Sequence, residues 1–477
     1  MKKRWLIALI AAYIVIRIYI ASLSPYGFYH GWNEGYYSLI AKNYFSGSLW
    51  EQIAYHGGEP FPSVPPMFSY AVYASFNIFG IADISARLVS ILSELIAVLG
   101  VYILAKELYN ERTADISALL FILIPWNILW FGRAQTDPLM TALMILAMAL
   151  YVRAYRNNKS MLPFGIALGL AVFTKQPALA ILPVVLLWSY LQGINRGQII
   201  HSLIYFIAGM IPLFIWLSYY LVRGDTGFVS HFIYGELTNR SEPFSDLVRV
   251  ILFTAAGISP LVIAAAAYQI YNERDMKNIL VIWLLVYGAF VLVRTPPSHE
   301  YYSLPLIAPV VIMAGAGIAG ISSRLNKRSA SILFTAVIIS TIPVTYALLS
   351  YSGGFGYTAT RDVGVFLRNY MDWNPDKDYL VLVQMKYSPQ VAWYSGIGLD
   401  GREQLYSTVD DLSVRYVDGI INNYDTKKAI LLVSDMEGDA VQGSYDMIYE
   451  SGYKSGSMNL SFYNLGKPYG LTVLRVR

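Results

Sequence analysis

The side chains of this 477-residue chain that could do chemistry lie in a few short stretches. Glu34 follows Asn33, between Trp32 and the pair Tyr36-Tyr37, in a loop after the first apolar segment. A carboxylate so placed can take a proton from an attacking hydroxyl as general base. The same residues also read as a helix start, with Asn33 capping a helix over 34–45 and Glu34 in its first turn. The stretch Phe131-Gly132-Arg133-Ala134-Gln135-Thr136-Asp137-Pro138-Leu139 brings an arginine near an aspartate, and Asp137 before Pro138 is again a helix-start pattern. Lys175 sits in the turn Thr174-Lys175-Gln176-Pro177, and Arg294 ends an apolar run that leads to His299-Glu300-Tyr301-Tyr302. Arg133, Lys175 and Arg294 can snorkel to an interface or line a site for a phosphate group. His299-Glu300 is a single pair, and His56 would be its one distant ally, which is thin for a metal site.

These residues must be positioned by a very apolar chain. Hydrophobic residues make up 56% and charged residues 14%, against about 25% charged in soluble domains. The charges are bunched between long apolar runs, the pattern of a polytopic helical membrane protein. Eleven spans are expected, at 5–23, 84–106, 113–131, 138–155, 162–174, 177–191, 200–221, 248–271, 279–294, 301–320 and 330–350. The first follows Met-Lys-Lys-Arg, carries Arg17 and lacks a small-residue cleavage site, so it reads as an uncleaved span rather than a signal peptide. No basic stripe or zinc spacing points to nucleic acid. The absence of cysteine excludes disulfide and thiol chemistry.

Residues 66–80 decide the topology. They follow Pro65-Pro66 and stop at Gly80, and about 14 residues at 1.5 Å each fall short of the roughly 30 Å hydrocarbon core. Read as a surface helix that does not cross, this segment leaves every basic cluster on one side. Those clusters are Lys2-Lys3-Arg4, Lys106 with Arg112, Arg153 to Lys159, Arg196, Arg274 with Lys277, and Arg324 to Arg328. The positive-inside rule makes that side cytoplasmic. The loops 24–83 and 222–247 and the C-terminus then face outward, and so do Glu34 and Asp137. The membrane domain is expected over 1–351. Residues 352–477, of soluble composition, are expected to form a small extracytoplasmic α/β domain. Its expected elements are a helix over 361–371, strands over 379–384, 429–434, 459–463 and 471–476, and a helix over 409–422.

In this order and spacing, the stretches resemble the GT-C glycosyltransferases, in the branch that holds the protein O-mannosyltransferases and the lipid A aminoarabinose transferase. That family's acidic pair and Tyr-rich helix resemble Asn33-Glu34-Gly35-Tyr36-Tyr37 and the residues after them. Its Pro-Pro-Leu resembles Pro65-Pro66-Met67, and an Arg-Leu element resembles Ala86-Arg87-Leu88. Its Gly-Arg…Asp-Pro-Leu resembles Gly132-Arg133 and Asp137-Pro138-Leu139. Its Lys-Gly-Pro and His-Tyr…Leu-Pro resemble Lys175-Gln176-Pro177 and His299 to Pro305. The family's leading Asp is Asn33 here, which has no useful basicity. A base role therefore passes to Glu34, to Asp137 or to a substrate group.

The resemblance implies transfer of a sugar from a polyprenyl-phosphate carrier to a protein, lipid or glycan acceptor, with inversion. Catalytic candidates are Glu34, Asp137 and Asn33. Arg133, Lys175, Arg294 and His299 are candidates for the phosphate, and Glu300, Tyr301, Tyr302, Tyr36, Tyr37 and Pro66 for the rest of the substrate. No cofactor or metal is called for, since cations are already present at the expected phosphate. The rival readings are a non-catalytic relative, suggested by Asn33, and a polyprenyl-lipid transporter or flippase. A transporter would carry its ionisable residues inside the spans, where only Arg17 and Glu94 stand out. Two sequons, at Asn239 and Asn459, are expected on the outer side.

Overall fold

A computed structural model describes residues 3–27, 30–55, 60–61, 64–230, 232, 251–252, 254–255, 257–275, 278–294, 300–351, 358–373, 379–384, 387–397, 404–408, 429–434, 445–450 and 471–476. The helices begin with α1 (Lys3–Ser22), α2 (Gly31–Asn43), α3 (Met67–Phe79), α4 (Asp83–Leu108), α5 (Glu111–Leu123) and α6 (Pro125–Trp130). Then come α7 (Thr136–Arg156), α8 (Leu162–Thr174), α9 (Ile181–Leu191), α10 (Arg196–Gly209) and α11 (Ile211–Val222). They continue with α12 (Pro260–Glu273), α13 (Ile279–Arg294), α14 (Ile307–Arg324), α15 (Lys327–Tyr351), α16 (Ala359–Asp372) and α17 (Ser388–Ser395). Internal contacts divide the chain into two compact units: residues 1–18, 62–68 and 87–348, and residues 19–61, 69–86 and 349–477.

The first unit is helical and apolar. Among the described residues, Asp83–Leu108, Thr136–Arg156, Glu300–Arg324 and Arg328–Leu349 are long and apolar enough to cross a membrane. The pair α10–α11 is a fifth if its 48° bend is bridged by one span. Shorter apolar helices run over Ile7–Ser22, Leu162–Thr174, Gln176–Leu191 and Ile279–Val293. Helices suit such a chain because they satisfy their own backbone polar groups, which lipid cannot do.

Proline breaks two of the expected spans. The run 113–131 is split between α5 and α6, where Pro125 supplies no N–H for the ladder. Asn127 Nδ2 closes the break by donating to Phe121 O at 2.6 Å. The run 200–221 bends at Met210, just before Pro212. Of the run 248–271, the later part lies in α12, which opens at Pro260. The segment expected at the surface forms α3, which stops before Gly80 at a φ of 84°. Only glycine reaches that left-handed conformation cheaply.

Small residues set the helix packing. A methyl placed on Gly169 of α8 would lie 2.2 Å from the Gly209 carbonyl carbon of α10, and one on Gly165 would lie 2.3 Å from Tyr205. Gly315 of α14 abuts Ser117 of α5 in the same way, and Gly317 abuts Ala265 of α12. Backbones meet this closely only where side chains are absent.

The second unit holds α2, most of α3, α16, α17 and a five-stranded sheet. The strands are β1 (Tyr379–Gln384), β2 (Gln404–Thr408), β3 (Ala429–Ser434), β4 (Tyr445–Glu450) and β5 (Thr472–Val476), in the order β2-β1-β3-β5-β4. β1 pairs in parallel with β2 and β3, and β5 pairs antiparallel with β3 and β4. On α16, Ala359, Val363, Leu367 and Met371 recur every four residues and pack against Val381, Val383, Leu431, Val433 and Val473. The expected strands at 379–384, 429–434 and 471–476 are β1, β3 and β5. β2 and β4 had no sequence expectation. Both are edge strands of mixed polarity, so neither carries the apolar run of a doubly buried strand. The expected strand over 459–463, the helix over 409–422 and both sequons lie outside the described residues.

The α8–α10 contact yields a stability prediction. Gly169→Ala is expected to lower the thermal unfolding temperature in detergent. Gly320→Ala is expected to leave it unchanged, because nothing lies within 4 Å of a methyl there. Fluorescence-detected thermal unfolding of both variants compares them directly.

Candidate active site

In the first unit, the start of α7 meets the end of α8 through two charges. Lys175 Nζ donates to Asp137 Oδ1 at 3.0 Å and Oδ2 at 2.9 Å. Asp137 is 1% exposed and Lys175 6%. α7 begins one residue before Asp137, with Gln135 as its cap, so Asp137 sits in the first turn and is not the cap. Its charge suits the positive end of the helix. Thr136 Oγ1 adds a bond to Asp137 Oδ2 at 3.3 Å. Lys175 leaves α8 in an extended conformation, which swings its side chain out of the helix path.

Two tyrosines cover the ammonium. Lys175 Nζ lies 4.4 Å from the Tyr302 ring centroid and 4.7 Å from that of Tyr301. A desolvated cation over an aromatic face is favourable by up to about 2 kcal/mol. Both tyrosines belong to the 3-10 turn Glu300–Leu306, which is bolted by Ser303. Ser303 Oγ donates to Glu300 O at 2.7 Å, and accepts from Trp126 Nε1 at 3.2 Å and Thr254 Oγ1 at 3.0 Å. Trp130 packs edge-on against Tyr301. Glu300 itself is buried.

Arg133 is buried in the turn between α6 and α7. The residue before it, Gly132, rests on the Arg17 guanidinium: a methyl there would lie 3.2 Å from Arg17 Nη2. Arg17 faces Glu94 at 3.6 Å, and Tyr13 donates to the same carboxylate at 2.9 Å. The two ionisable residues that stand out inside the spans thus pair with each other. Pro66 is buried ahead of α3. The Arg294 side chain, His299 and His56 lie outside the described residues.

In the second unit, α2 begins at Gly31, three residues before the expected start, after His30 in a left-handed conformation. Asn33 is therefore inside the first turn and does not cap the helix. Glu34 is fully buried there, and Asn33 is half-buried. Trp32 stacks on Tyr36 with centroids 4.5 Å apart, and Phe61 meets Tyr36 edge-on at 5.0 Å. Burial pushes the Tyr36 and Tyr55 phenols well above their usual range. They are neutral at physiological pH and cannot serve as bases. Tyr37 is buried on the same helix.

Trp126, Trp130 and Thr254 sit in apolar runs with no local motif, and Ser303 lies within the stretch His299 to Pro305 with no role assigned to it from the sequence. Among the described residues, no group of three or more His, Asp and Glu side chains is placed to hold a metal ion.

Lys175→Met strands a buried carboxylate, and loss of one partner of such a pair costs about 3–5 kcal/mol. The variant is expected to unfold at a clearly lower temperature in detergent. Adding Asp137→Asn is expected to recover most of the loss, and thermal unfolding of the three proteins checks it.

The chain is similar to known proteins in sequence and in fold. Residues 63–220 match the family described as dolichyl-phosphate-mannose-protein mannosyltransferase. An uncharacterized protein of Aquifex aeolicus is 23% identical over 363 residues, spanning 72% of this chain and 70% of that one. The crystal structure of ArnT from Cupriavidus metallidurans, bound to undecaprenyl phosphate, superposes with a TM-score of 0.71 at 14% identity, covering 99% of this chain and 98% of that one. The oligosaccharyltransferase of Archaeoglobus fulgidus in its apo form gives a TM-score of 0.62 at 16% identity, over 91% of this chain and 70% of that one. The chain thus shares its fold with ArnT and with the oligosaccharyltransferase, its residues 63–220 match the mannosyltransferase family, and its long apolar helices make it a multi-pass membrane protein.

Proposed function

We propose that the protein transfers a sugar from a polyprenyl-phosphate carrier to a protein, lipid or glycan acceptor at the outer membrane face. The observation that carries this reading is the buried Lys175 ammonium, held by Asp137 against the rings of Tyr301 and Tyr302. A preorganised cation in a water-poor setting stabilises charge that develops on a departing phosphate. An apolar cavity of about 360 Å³, bordered by Ser303, Ile258, Ala266, Leu284, Val291 and Met313, offers room for a lipid tail. The carrier bound to the similar ArnT, undecaprenyl phosphate, is of the same chemical class.

The acceptor hydroxyl oxygen attacks the anomeric carbon as the carbon–oxygen bond to phosphate breaks. The phosphate leaves with the bonding electrons, and the configuration inverts. Lys175 and Arg133 stabilise the departing charge. The hydroxyl proton passes to Glu34, the first candidate base. Asn33 cannot accept it. Asp137, engaged by Lys175, acts by orienting that ammonium rather than as the base.

We further infer eleven spans, a cytoplasmic N-terminus and an extracytoplasmic C-terminal domain. The cysteine-free chain makes this simple to test. Single cysteines at the exposed Ser46 and Lys159 are expected to react differently in intact cells with a membrane-impermeant maleimide. Ser46→Cys is labelled and Lys159→Cys is not, and the reverse pattern would invert the topology.

For the chemistry, Glu34→Gln is expected to reduce transfer from a labelled polyprenyl-phosphate sugar about a hundredfold or more, as loss of a general base does. Turnover equal to the parent's removes Glu34 from the mechanism.

A further inference from the structure

α2 packs along α17. The two helices meet backbone to backbone. A methyl on Gly35 would lie 2.7 Å from the Pro389 carbonyl carbon and 2.8 Å from the Gln390 nitrogen. One turn earlier, a methyl on Gly31 would lie 3.0 Å from Gln390 Nε2. Gly31 and Gly35 are four residues apart, so they form one stripe of α2, and Glu34 immediately precedes the tighter contact.

The C-terminal end of α17 fixes the surroundings of that stripe through one carboxylate. Trp393 Nε1 donates to Asp83 Oδ1 at 2.6 Å, and the Tyr394 hydroxyl donates to Asp83 Oδ2. The Tyr394 oxygen in turn accepts from the Tyr26 backbone N–H at 2.7 Å. Tyr26 shares a 2.6 Å hydrogen bond between its hydroxyl and Ser38 Oγ of α2, and Thr360 Oγ1 donates to its carbonyl at 3.0 Å. At the other end of α17, Ser388 Oγ meets the Tyr55 hydroxyl at 3.1 Å. Tyr55 in turn packs edge-on against Tyr36 of α2. Burial and the neighbouring Asp83 charge keep the Tyr394 phenol protonated, so its donated bond persists across the working pH range.

We propose that Tyr394 and Trp393, anchored on Asp83, are positioning residues for the transfer reaction: through α17 they set where α2 holds Asn33 and Glu34. This rests on the reading of Glu34 as the base. A displacement of about 1 Å of a reacting group can cost about a hundredfold in rate, and the Gly35 contact leaves α2 no room to drift toward α17.

The test is steady-state transfer from a labelled polyprenyl-phosphate sugar by the full-length protein in proteoliposomes. Tyr394→Phe deletes one donor and one acceptor at once. It is expected to lower kcat about tenfold or more while the donor KM stays within about twofold, the pattern of a loss felt in the transition state only. Asp83→Ala is expected to behave alike. Asp83→Asn retains an oxygen for Trp393, and its NH2 can donate to the Tyr394 oxygen in place of the bond that the carboxylate accepted, so it is expected to hold kcat within about threefold of the parent, a rescue by the conservative variant. Wild-type kcat in folded Tyr394→Phe and Asp83→Ala overturns the proposal. A fall in activity that only tracks lost thermal stability, or that appears equally in Asp83→Asn, overturns it too. Glu34→Gln separates the two readings. If it is inactive while Tyr394→Phe is normal, only the positioning role falls. If it is fully active, the base assignment falls, and a kcat-only loss in Tyr394→Phe still supports the placement of α2 by α17.

Discussion

Lys175 and Asp137 leave water together. Moving either charge alone into an apolar interior costs several kcal/mol, so each is tolerable only in the presence of the other. That condition ties the first turn of α7 to the end of α8, because a 2.9 Å contact cannot survive much relative movement. The turn that presents Tyr301 and Tyr302 to the ammonium must be equally fixed. Its rigidity comes from Ser303, whose hydroxyl serves as donor to one partner and acceptor from two others. The cation in this unit is therefore built by several helices rather than carried by one motif.

A second buried pair follows the same rule. Arg17 and Glu94 are 3% and 0% exposed, and their partnership removes the isolated intramembrane charge a translocation pathway would display. The Arg17 guanidinium also fills the space beside Gly132, just ahead of Arg133. A methyl there would lie 3.2 Å from both Arg17 Nη2 and Ile128 O, tighter than an ordinary contact, which favours the glycine of the Gly-Arg motif in steric terms.

The second unit uses a different currency of neutral hydrogen bonds and close backbone approach. Its helix α2 rests on a segment more than three hundred residues later in the chain, through contacts such as Gly35 with Pro389. Residues 19–61 and 69–86 fold with residues 349–477 as one compact body.

Some of this was determined by the amino-acid sequence alone. Apolar runs of span length, punctuated by basic clusters, declare a helical membrane protein, because lipid accepts little else. Continuous β-branched and leucine runs declare β1 and β3, because strands buried on both faces must be apolar throughout. The order of Glu34, Asp137, Lys175 and Tyr301 along the chain points to the fold that the superposition on ArnT shows. Tertiary structure alone decided what those residues do to one another. Nothing local says that Lys175 answers Asp137, that Ser303 receives Trp126 and Thr254, or that Tyr394 grips Asp83, since these partners lie tens to hundreds of residues away. Helix starts were misread by up to three residues at Asn33, because a left-handed His30 can open a helix without the side-chain cap that the sequence pattern advertises. Periodicity reports how a segment meets its solvent; which segment it meets instead is a property of the packed chain.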